Sequence, residues 1–482
     1  MTISAAVLDT AGAQDGAVER VIDKIRTAGL QPPAAEDLTP FSDIKRFEER
    51  WHADRKLRAA YAESPRRVCG AVGLRVDPEI VRPLWDPAAG ERSEAAVPPV
   101  LARYLEFASR RLRRFRDDIA AVPADPRFAG WRQRQIYRHN LETPVLFNLN
   151  PHIPASFELS RGCSVGCWFC YLSPPKLEDV FRYTPETARL WRGILEVVRD
   201  IAGPSARMSI CYAGTDPFDN PDYERFAEDF AAVIGEPPYT STAIPMRDIE
   251  RTRRLIAVSP LDRLRFSVLS LGMLSKIHAA FSPEEMLPVI VGLRNEGSME
   301  ARFIQFAGRA RENVTRYRKF RAEEPLINTP SCETGLKFNL VERTIKLASP
   351  CAPSERWPLG YRVYDQARFE TSADVRRIVE DMIDRHMART ASELPVLRFQ
   401  SCLRFEPMNA GFALVGPYLR QRFEAAPERP FMARLGELIQ SGQYSAERAI
   451  ARLREEYGTT RAAMEAALDE LFRLGVLDEG SA

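Results

Sequence analysis

The 482-residue sequence has no apolar run long enough to cross a membrane, and its net charge is only +2. A membrane-spanning helix needs about 20 mainly apolar residues. The opening residues, MTISAAVLDTAGAQD, also lack the basic flank and apolar stretch of a secretion signal. A nearly neutral chain has no overall electrostatic attraction to nucleic acid or to membrane surfaces. We therefore expect a cytoplasmic protein that has neither nucleic acid nor a membrane as its partner.

Cysteine is scarce, and most of it stands alone. Five of the eight cysteines have no close cysteine neighbour in sequence: Cys69, Cys211, Cys332, Cys351 and Cys402. The other three fall within FELSRGCSVGCWFCYLSPPK (157–176) in the spacing C-x3-C-x2-C. A structural zinc site usually takes four ligands from two such groups, and no second group exists. Thiols that stay reduced in the cytoplasm are candidates for metal or redox chemistry.

The chain changes character several times along its length. We predict the following segments: a disordered terminus (1–15), a helical domain (16–150), a partial barrel (151–330), an α+β extension (331–428) and a helical, winged-helix-like domain (429–482). Within the last segment, glycines separate three amphipathic stretches. The sequence GLKFNLVERTIKLAS (335–349) suits a β-hairpin.

Strand and helix patterns alternate between residues 153 and 308. Strands are predicted at 153–159, 207–213, 239–244, 263–271 and 301–308, with helices between them, one of which spans 282–297. Thr184 is the expected cap of a helix that Pro185 opens. Such alternation predicts an α/β fold with parallel strands, arranged as an open, partial (βα)5–6 barrel. Chemistry in βα barrels gathers at the carboxyl ends of the strands, and the three cysteines follow the first strand.

Three thiolates suit a cluster better than a closed metal site. A [4Fe–4S] cluster held by three cysteines keeps one iron open to a substrate. Zinc with His152 as fourth ligand, or a purely structural cluster, is the alternative, although His152 precedes the strand that the cysteines follow. The motif of Cys163, Cys167 and Cys170, with Phe169 before the last cysteine, resembles the radical S-adenosylmethionine (SAM) signature.

That resemblance implies which residues contact SAM. Gly214, Thr215 and Asp216 of YAGTDP stand where radical SAM enzymes carry a Gly-Gly-Glu-Pro-like turn that meets the SAM ammonium. An ordinary turn is the alternative for this short motif. Further contacts are implied for the ribose or carboxylate of SAM, from Ser267, Ser270 and Arg309. Strand residues and a surface arginine are the alternatives for these three.

Longer stretches are similar to the radical SAM peptide epimerases of the proteusin type, which mature ribosomally made precursor peptides (RiPPs). The similarity spans roughly residues 40–365 and includes YAGTDPFDNPDY, FAGRARE and SPCAPSERWPLGYRVY. It implies conversion of L- to D-residues in a precursor peptide, with SAM, a [4Fe–4S] cluster and an external electron donor such as flavodoxin or ferredoxin. The chain departs from the family at Tyr171 and the following LSPPK.

Epimerisation requires a second hydrogen donor, because the Cα radical must be quenched from its opposite face. Cys351 in SPCAPSERW is the preferred donor, Cys332 is the alternative, and a buried inert thiol is a third possibility. Because of Tyr171, another radical reaction, backbone excision or a cross-link, is an alternative to epimerisation. A second alternative is a non-catalytic iron–sulfur scaffold that carries the leader peptide. We expect the leader peptide to bind at the C-terminal helices or at residues 40–85. For each of these segments, packing within the protein is the alternative role.

Overall fold

The computed structural model describes residues 22–26, 30, 33–86, 97–142, 151–304, 306–320 and 332–480. The disorder predicted for residues 1–15 lies outside these ranges. No helix within them combines the length and the apolar character that a membrane crossing requires.

The N-terminal part is helical, as predicted. Asp54 separates the first two helices, and its carboxylate caps the second by accepting hydrogen bonds from the backbone N–H groups of Lys56 and Leu57. The helices are α1 (Ala35–Ala53), α2 (Arg55–Tyr61), α3 (Pro65–Ala71), α4 (Arg82–Trp85), α5 (Pro99–Ile119) and α6 (Pro126–Glu142).

Strands then alternate with helices. The strands are β1 (Ile153–Glu158), β2 (Ser160–Arg161), β3 (Asp179–Val180), β4 (Thr240–Thr242), β5 (Leu264–Val268) and β6 (Ile290–Leu293). The helices are α7 (Pro185–Ala202), α8 (Tyr223–Ile234), α9 (Ile249–Val258), α10 (Leu271–Ala280), α11 (Pro283–Met286), α12 (Arg309–Glu312) and α13 (Val314–Phe320). Short 3-10 helices cover Gly203–Met208, Pro217–Asp219, Met299–Phe303 and Ala391–Glu393. Thr184 caps α7 as expected, and Thr187 completes a capping box with it.

Parallel pairing connects the strands in chain order. β4, β5 and β6 form one parallel sheet. Ile210 pairs in parallel with Ser156 of β1 and with Tyr239, directly before β4. The backbone of Ile210 also exchanges hydrogen bonds with Ala155 and Phe157 at 3.2 and 2.8 Å. The order is therefore β1, the Ile210 segment, β4, β5 and β6.

Three elements differ from the sequence prediction. The helix predicted for 282–297 ends at Met286, and β6 follows within the same stretch. Pro288 explains the change, because proline lacks the backbone N–H that a continuing helix requires. The strand predicted for 301–308 is wrong: Met299–Phe303 is a 3-10 helix, and the other described residues of this range, 304 and 306–308, are not in a strand. The strand predicted for 207–213 is reduced to the single bridge at Ile210.

A four-stranded sheet extends from β1. It contains β7 (Glu333–Asn339), β8 (Thr344–Pro350) and β9 (Tyr361–Arg368), in the order β1-β7-β8-β9. β7 runs parallel to β1, and β7 and β8 form the predicted hairpin. One face of this sheet is apolar, with Phe157 stacked on Phe338 and packed edge-on against Trp191 of α7. Helix α14 (Ser372–His386) packs on the same core.

The C-terminal part forms a separate hydrophobic core. An antiparallel sheet of β10 (Arg404–Met408), β11 (Gly411–Val415) and β12 (Arg420–Glu424) precedes three helices, α15 (Met432–Ser441), α16 (Ala446–Tyr457) and α17 (Arg461–Arg473). Gly442 and Gly458 end α15 and α16 in the left-handed conformation, as the glycine breaks predict.

Candidate functional site

The three clustered cysteines lie on a loop that is closed at its base. β2 pairs antiparallel with β3, so residues 162–178 leave and re-enter the fold at the carboxyl end of β1. Gly162 has a φ of +85°, and a Cβ at this position would lie 2.2 Å from the carbonyl oxygen of Lys176. The close approach of the two loop ends therefore requires glycine at position 162.

The thiols of this cysteine loop are partly exposed and influence one another. Burial raises the pKa of Cys163 to about 11. Burial, followed by the charges of Cys170 and Cys163, raises the pKa of Cys167 to about 12. The backbone N–H of Cys170 donates to the carbonyl of Cys167 at 3.2 Å. All three thiols thus occupy one short loop and interact there.

The chemistry of this donor set fits a polynuclear cluster. Within the described ranges, no three His, Cys, Asp or Glu side chains converge as the ligands of a single metal ion. A cubane cluster binds each thiolate to a different iron, so its ligands surround a volume instead of meeting at one point. His152 lies at the opposite end of β1, where its Nδ1 is 2.8 Å from the Thr334 hydroxyl. Cys163, Cys167 and Cys170 are therefore the residues that would hold the cluster.

A buried carboxylate anchors the start of the loop. Asp219 accepts hydrogen bonds from the backbone N–H of Ser164 at 2.8 Å and from its hydroxyl at 2.5 Å. Arg247 pairs with the same carboxylate at 2.9 Å and also donates to the Ser164 hydroxyl at 2.5 Å. These contacts hold the residue that follows Cys163 in place.

Gly308 and Arg309 hold the other end of the loop. The backbone N–H of Arg309 donates to the carbonyl of Cys170 at 3.1 Å, and its guanidinium donates to the carbonyls of Cys167 and Pro174. Gly308 has a φ of +49°, and a Cβ there would lie 2.2 Å from the Tyr171 carbonyl oxygen. The structure therefore gives Arg309 a loop-clamping role; the SAM-carboxylate contact stays a prediction.

Phe169 packs beside Trp168, with the two ring centroids 5.5 Å apart and the planes perpendicular. Both rings lie against a small core that includes Ile304 and Tyr317. The aromatic residue before the third cysteine thus fastens the loop to the segment around α12 and α13.

The YAGTDP turn lies next to the end of β1. Gly214 has a φ of +68°, and a Cβ there would lie 2.8 Å from Oε1 of Glu158. Thr215 makes only long contacts, from its backbone N–H to Tyr212 and from its hydroxyl to Asp216, both 3.5 Å. Asp216 is buried and accepts three hydrogen bonds, from the N–H groups of Phe218 and Ala243 and from the Thr242 hydroxyl, at 2.7–3.0 Å.

These contacts tie Asp216 to the carboxyl end of β4. Burial outweighs the three donors and raises the pKa of Asp216 to about 6. The carboxylate predicted to meet the SAM ammonium is thus engaged by the protein itself, whereas Gly214 borders open space.

The two predicted serine contacts differ in their surroundings. Ser267 lies in β5, and its hydroxyl is 3.2 Å from that of Ser241. Ser270 caps α10 by accepting a hydrogen bond from the backbone N–H of Met273 at 3.1 Å. A helix-capping role, which sequence reasoning missed, accounts for Ser270 without a ligand.

The two candidate hydrogen donors have separate surroundings. Cys351 is buried at the end of β8, where Arg138, Glu142 and Arg362 surround it, and burial raises its pKa to about 12. Cys332 directly precedes β7, and burial and then the charge of Glu333 raise its pKa to about 12.

Tyr171 connects Cys332 with the cysteine loop. Its hydroxyl donates to Glu333 at 3.4 Å, and the charges of Glu333, Cys332 and Cys170, after burial, raise its pKa. Tyr171 therefore interacts with Cys170 and with the segment of Cys332 and Glu333, and the choice between Cys332 and Cys351 as hydrogen donor stays a prediction.

The sequence analysis did not predict the polar network around Lys337. The Lys337 ammonium lies 2.8 Å from Glu158 and 3.3 Å from Glu333, and the Asn339 amide donates to Glu158 at 2.8 Å. The signal was a lysine in the predicted strand GLKFNL and a glutamate in FELS, since charged residues are rarely buried without a partner. Parallel pairing of β1 with a strand so distant in sequence brings them together.

This network lines a polar cavity of about 260 Å³. The other walls come from the loop residues that follow Cys170 and from the turn at Gly214. The polar cavity is lined by Glu158, Arg161, Gly162, 172–175, Gly214, Lys337, Asn339, Glu342, Thr344, Lys346 and Tyr361.

A comparison with known proteins finds a relative that aligns with nearly the whole chain. A curated protein of Sinorhizobium fredii (strain NBRC 101917 / NGR234), named "Uncharacterized protein y4wI", is 36% identical over 465 residues. The alignment covers 92% of this chain and 88% of that protein. The chain belongs to the same family as this protein. No protein-family model matches the chain, and no solved structure matches it.

Proposed function

We propose that the chain is a radical SAM enzyme that epimerises L- to D-residues in a ribosomally made precursor peptide. The observation that carries the proposal is the C-x3-C-x2-C loop at the carboxyl end of β1, clamped at both ends and bordered by a polar cavity. The parallel order β1, Ile210, β4, β5, β6 supports the open, partial barrel on which this chemistry is expected.

A bound cluster with SAM supplies one-electron cleavage of SAM and with it the radical that removes a Cα hydrogen from the peptide. The chain's own residues have other tasks. Cys163, Cys167 and Cys170 bind the cluster, Asp219 and Arg309 position their loop, and a thiol returns hydrogen to the opposite face of Cα.

We assign the hydrogen donor to Cys332. Tyr171 directly follows Cys170 and its hydroxyl donates to Glu333 at 3.4 Å, and Cys332 directly precedes Glu333, which supports this choice over Cys351. Cys351 is enclosed by Arg138, Glu142 and Arg362. A raised thiol pKa suits hydrogen-atom donation, because the S–H bond stays intact at neutral pH.

The C-terminal unit supports a leader-binding role. β12 is an edge strand of a three-stranded antiparallel sheet that packs on α15, as in winged-helix-like units that add a strand of peptide to their sheet. The proposal includes a cytoplasmic location and a flavodoxin- or ferredoxin-type electron donor.

The test is anaerobic reconstitution with iron, sulfide, SAM and dithionite, followed by reaction with a precursor peptide encoded beside the gene. Formation of 5′-deoxyadenosine and deuterium at Cα of D-residues in heavy water is expected, with unchanged peptide mass in ordinary water. Loss of a fragment or of two hydrogens would instead support backbone excision or a cross-link, the second candidate, for which Tyr171 directly after Cys170 is the motive. If no 5′-deoxyadenosine forms, a non-catalytic iron–sulfur scaffold is the remaining candidate function.

A further inference from the structure

Helix α13 packs on the cysteine loop. The guanidinium of Arg316 lies over the ring of Trp168, with its Cζ 4.8 Å from the ring centroid. Tyr317, the next residue of the helix, is buried in the small core against which Trp168 also lies. Trp168 directly follows Cys167 in the chain. One side chain thus separates the surface of α13 from a proposed ligand of the cluster.

Three exposed cations stand on this helix: Arg316, Arg318 and Lys319. Among the described residues, none of the three side chains has an ion pair or a hydrogen bond. The contact of Arg316 with Trp168 is a cation–π interaction, which leaves the positive charge in place. These three cations, together with the half-buried ring of Trp168, are called the basic face below.

The sequence around the basic face does not cancel this charge. Residues 309–331, which include α13, hold six cations and three carboxylates. The cysteine loop, residues 162–177, holds neither aspartate nor glutamate. Residues 351–360, which meet Gly308 through the Pro358 carbonyl, hold one glutamate and one arginine. Positive charge therefore exceeds negative charge in these segments taken together.

The carboxylates that contact the cysteine loop from other segments already have cations. Asp219 pairs with Arg247 at 2.9 Å. Glu333, which accepts a hydrogen bond from Tyr171, pairs with Lys337 at 3.3 Å. The charges of the basic face are thus available to a partner.

The proposed function requires such a partner, because the cleavage of SAM consumes an electron from an external donor. Electron transfer slows steeply with distance, so the donor must dock close to the cysteine loop. Flavodoxins and ferredoxins are acidic proteins, and a basic surface raises their rate of association by electrostatic attraction. Electron-transfer complexes also have small interfaces, usually below about 1,200 Å². A short helix and one half-buried tryptophan suit an interface of that size.

We propose that the basic face is the docking surface for an acidic, flavodoxin-type electron carrier. This inference rests on the proposed function for the need of an electron. In the docked complex the reduced flavin loses one electron and the cluster gains it, and no bond forms or breaks. Arg318 and Lys319 attract carboxylates of the carrier, and Trp168 lies between the carrier and Cys167.

The experiment measures the affinity of oxidised flavodoxin for the reconstituted full chain by isothermal titration calorimetry, at low and at high ionic strength. The wild type should bind flavodoxin, and salt should weaken the binding because it screens exposed charges. The double variant Arg318→Glu with Lys319→Glu should lose roughly tenfold or more in affinity. The charge-conserving pair Arg318→Lys with Lys319→Arg should keep the wild-type affinity.

The matched control reverses two other consecutive exposed cations, Arg66→Glu with Arg67→Glu. These residues lie on α3, which like α13 has seven residues but packs on a different core. The control should bind flavodoxin as the wild type does. Melting curves and iron content verify that each variant is folded and loaded. Stopped-flow oxidation of reduced flavodoxin should slow only in the α13 charge reversal, whereas dithionite, a small reductant, should reduce all variants equally.

Three outcomes would overturn the proposal. The first is that the wild type does not bind flavodoxin. The second is that the α13 charge reversal binds as the wild type does, or that the control loses as much affinity as the α13 variant. The third is that an oligothymidylate binds the basic face more tightly than flavodoxin, which would identify a site for nucleic acid.

The binding measurement requires no turnover, so the two proposals fail separately. A chain that binds flavodoxin at the basic face but cleaves no SAM would refute the radical enzyme and leave the docking surface standing. A chain that forms D-residues with dithionite, and whose flavodoxin binding ignores the charge reversal, would do the reverse.

Discussion

The carboxylate of Asp219 receives two hydrogen bonds from one residue, Ser164, through its backbone N–H at 2.8 Å and its hydroxyl at 2.5 Å. Ser164 directly follows Cys163, and Asp219 ends the short 3-10 helix that Asp216 caps. The pair therefore joins the cysteine loop to the YAGTDP turn.

Replacing Asp219 by Asn should loosen this junction. A buried carboxylate that accepts several hydrogen bonds contributes about 1–3 kcal/mol to the free energy of unfolding, and the amide cannot accept at both of its polar atoms. We expect a lower melting temperature and less iron per chain after reconstitution. The control Asp248→Asn alters only an exposed cap of α9 and should retain full iron. Full iron in Asp219→Asn would show that the anchor is dispensable.

The two candidate donors can be separated by paired variants. Cys332→Ala should still cleave SAM but form no D-residue, because the planar radical lacks its hydrogen source. Cys351→Ala should epimerise, since its thiol lies among Arg138, Glu142 and Arg362. The measurement is 5′-deoxyadenosine and D-residue content on the same samples. The opposite pattern would return the role to Cys351.

Leader binding at the sheet edge should be visible in hydrogen exchange. If a precursor peptide adds a strand to β12, the amides of residues 420–424 gain protection when the peptide is present. The opposite edge strand, residues 404–408, is the internal control and should exchange at its original rate. Equal protection of both edges, or of neither, would contradict docking at β12.

The contact between α1 and α10 should weaken in acid. Burial alone would raise the pKa of Glu49, but Lys45 and His278 outweigh it and lower this pKa from 4.5 to about 2. A carboxylate with a lower pKa in the folded state stabilises the protein above pH 4.5, and this stabilisation is lost as the pH falls toward 2. The loss is roughly 3 kcal/mol.

Denaturant unfolding at pH 7 and pH 3 measures the part of this loss that occurs above pH 3, and Glu49→Gln should show a smaller difference between the two pH values than the wild type. The neighbouring Glu48 has a pKa that burial raises, so it opposes the acid loss, and Glu48→Gln should lose at least as much stability in acid as the wild type. Identical pH dependence in Glu49→Gln and the wild type would refute the assignment.

Local signals predicted much of the fold. The helix cap at Thr184, the hairpin of β7 and β8 and the glycine ends of α15 and α16 depend on neighbouring residues, and each occurs as expected. The apolar run VIVGL was assigned to a helix because periodicity does not distinguish a short buried strand from a helix. Pro288 was the available clue.

The candidate site was predictable only where its residues are close in sequence. The cysteine spacing located the loop, but the clamp by Arg309 and the network of Glu158 with Lys337 join residues from distant segments. Their meeting depends on the pairing of β1 with β7, which no local pattern specifies. The same holds for Tyr171 and Glu333.

Gly308 and Arg309 close over the cysteine loop, and β7 completes the sheet beside β1. Both segments leave the ribosome long after the cysteines do, since synthesis proceeds from the N-terminus at about 5–20 residues per second. The nascent chain therefore presents its three thiols on a loop without its clamp. Binding of the proposed cluster in the clamped loop therefore requires that residues 308–339 have already been synthesised.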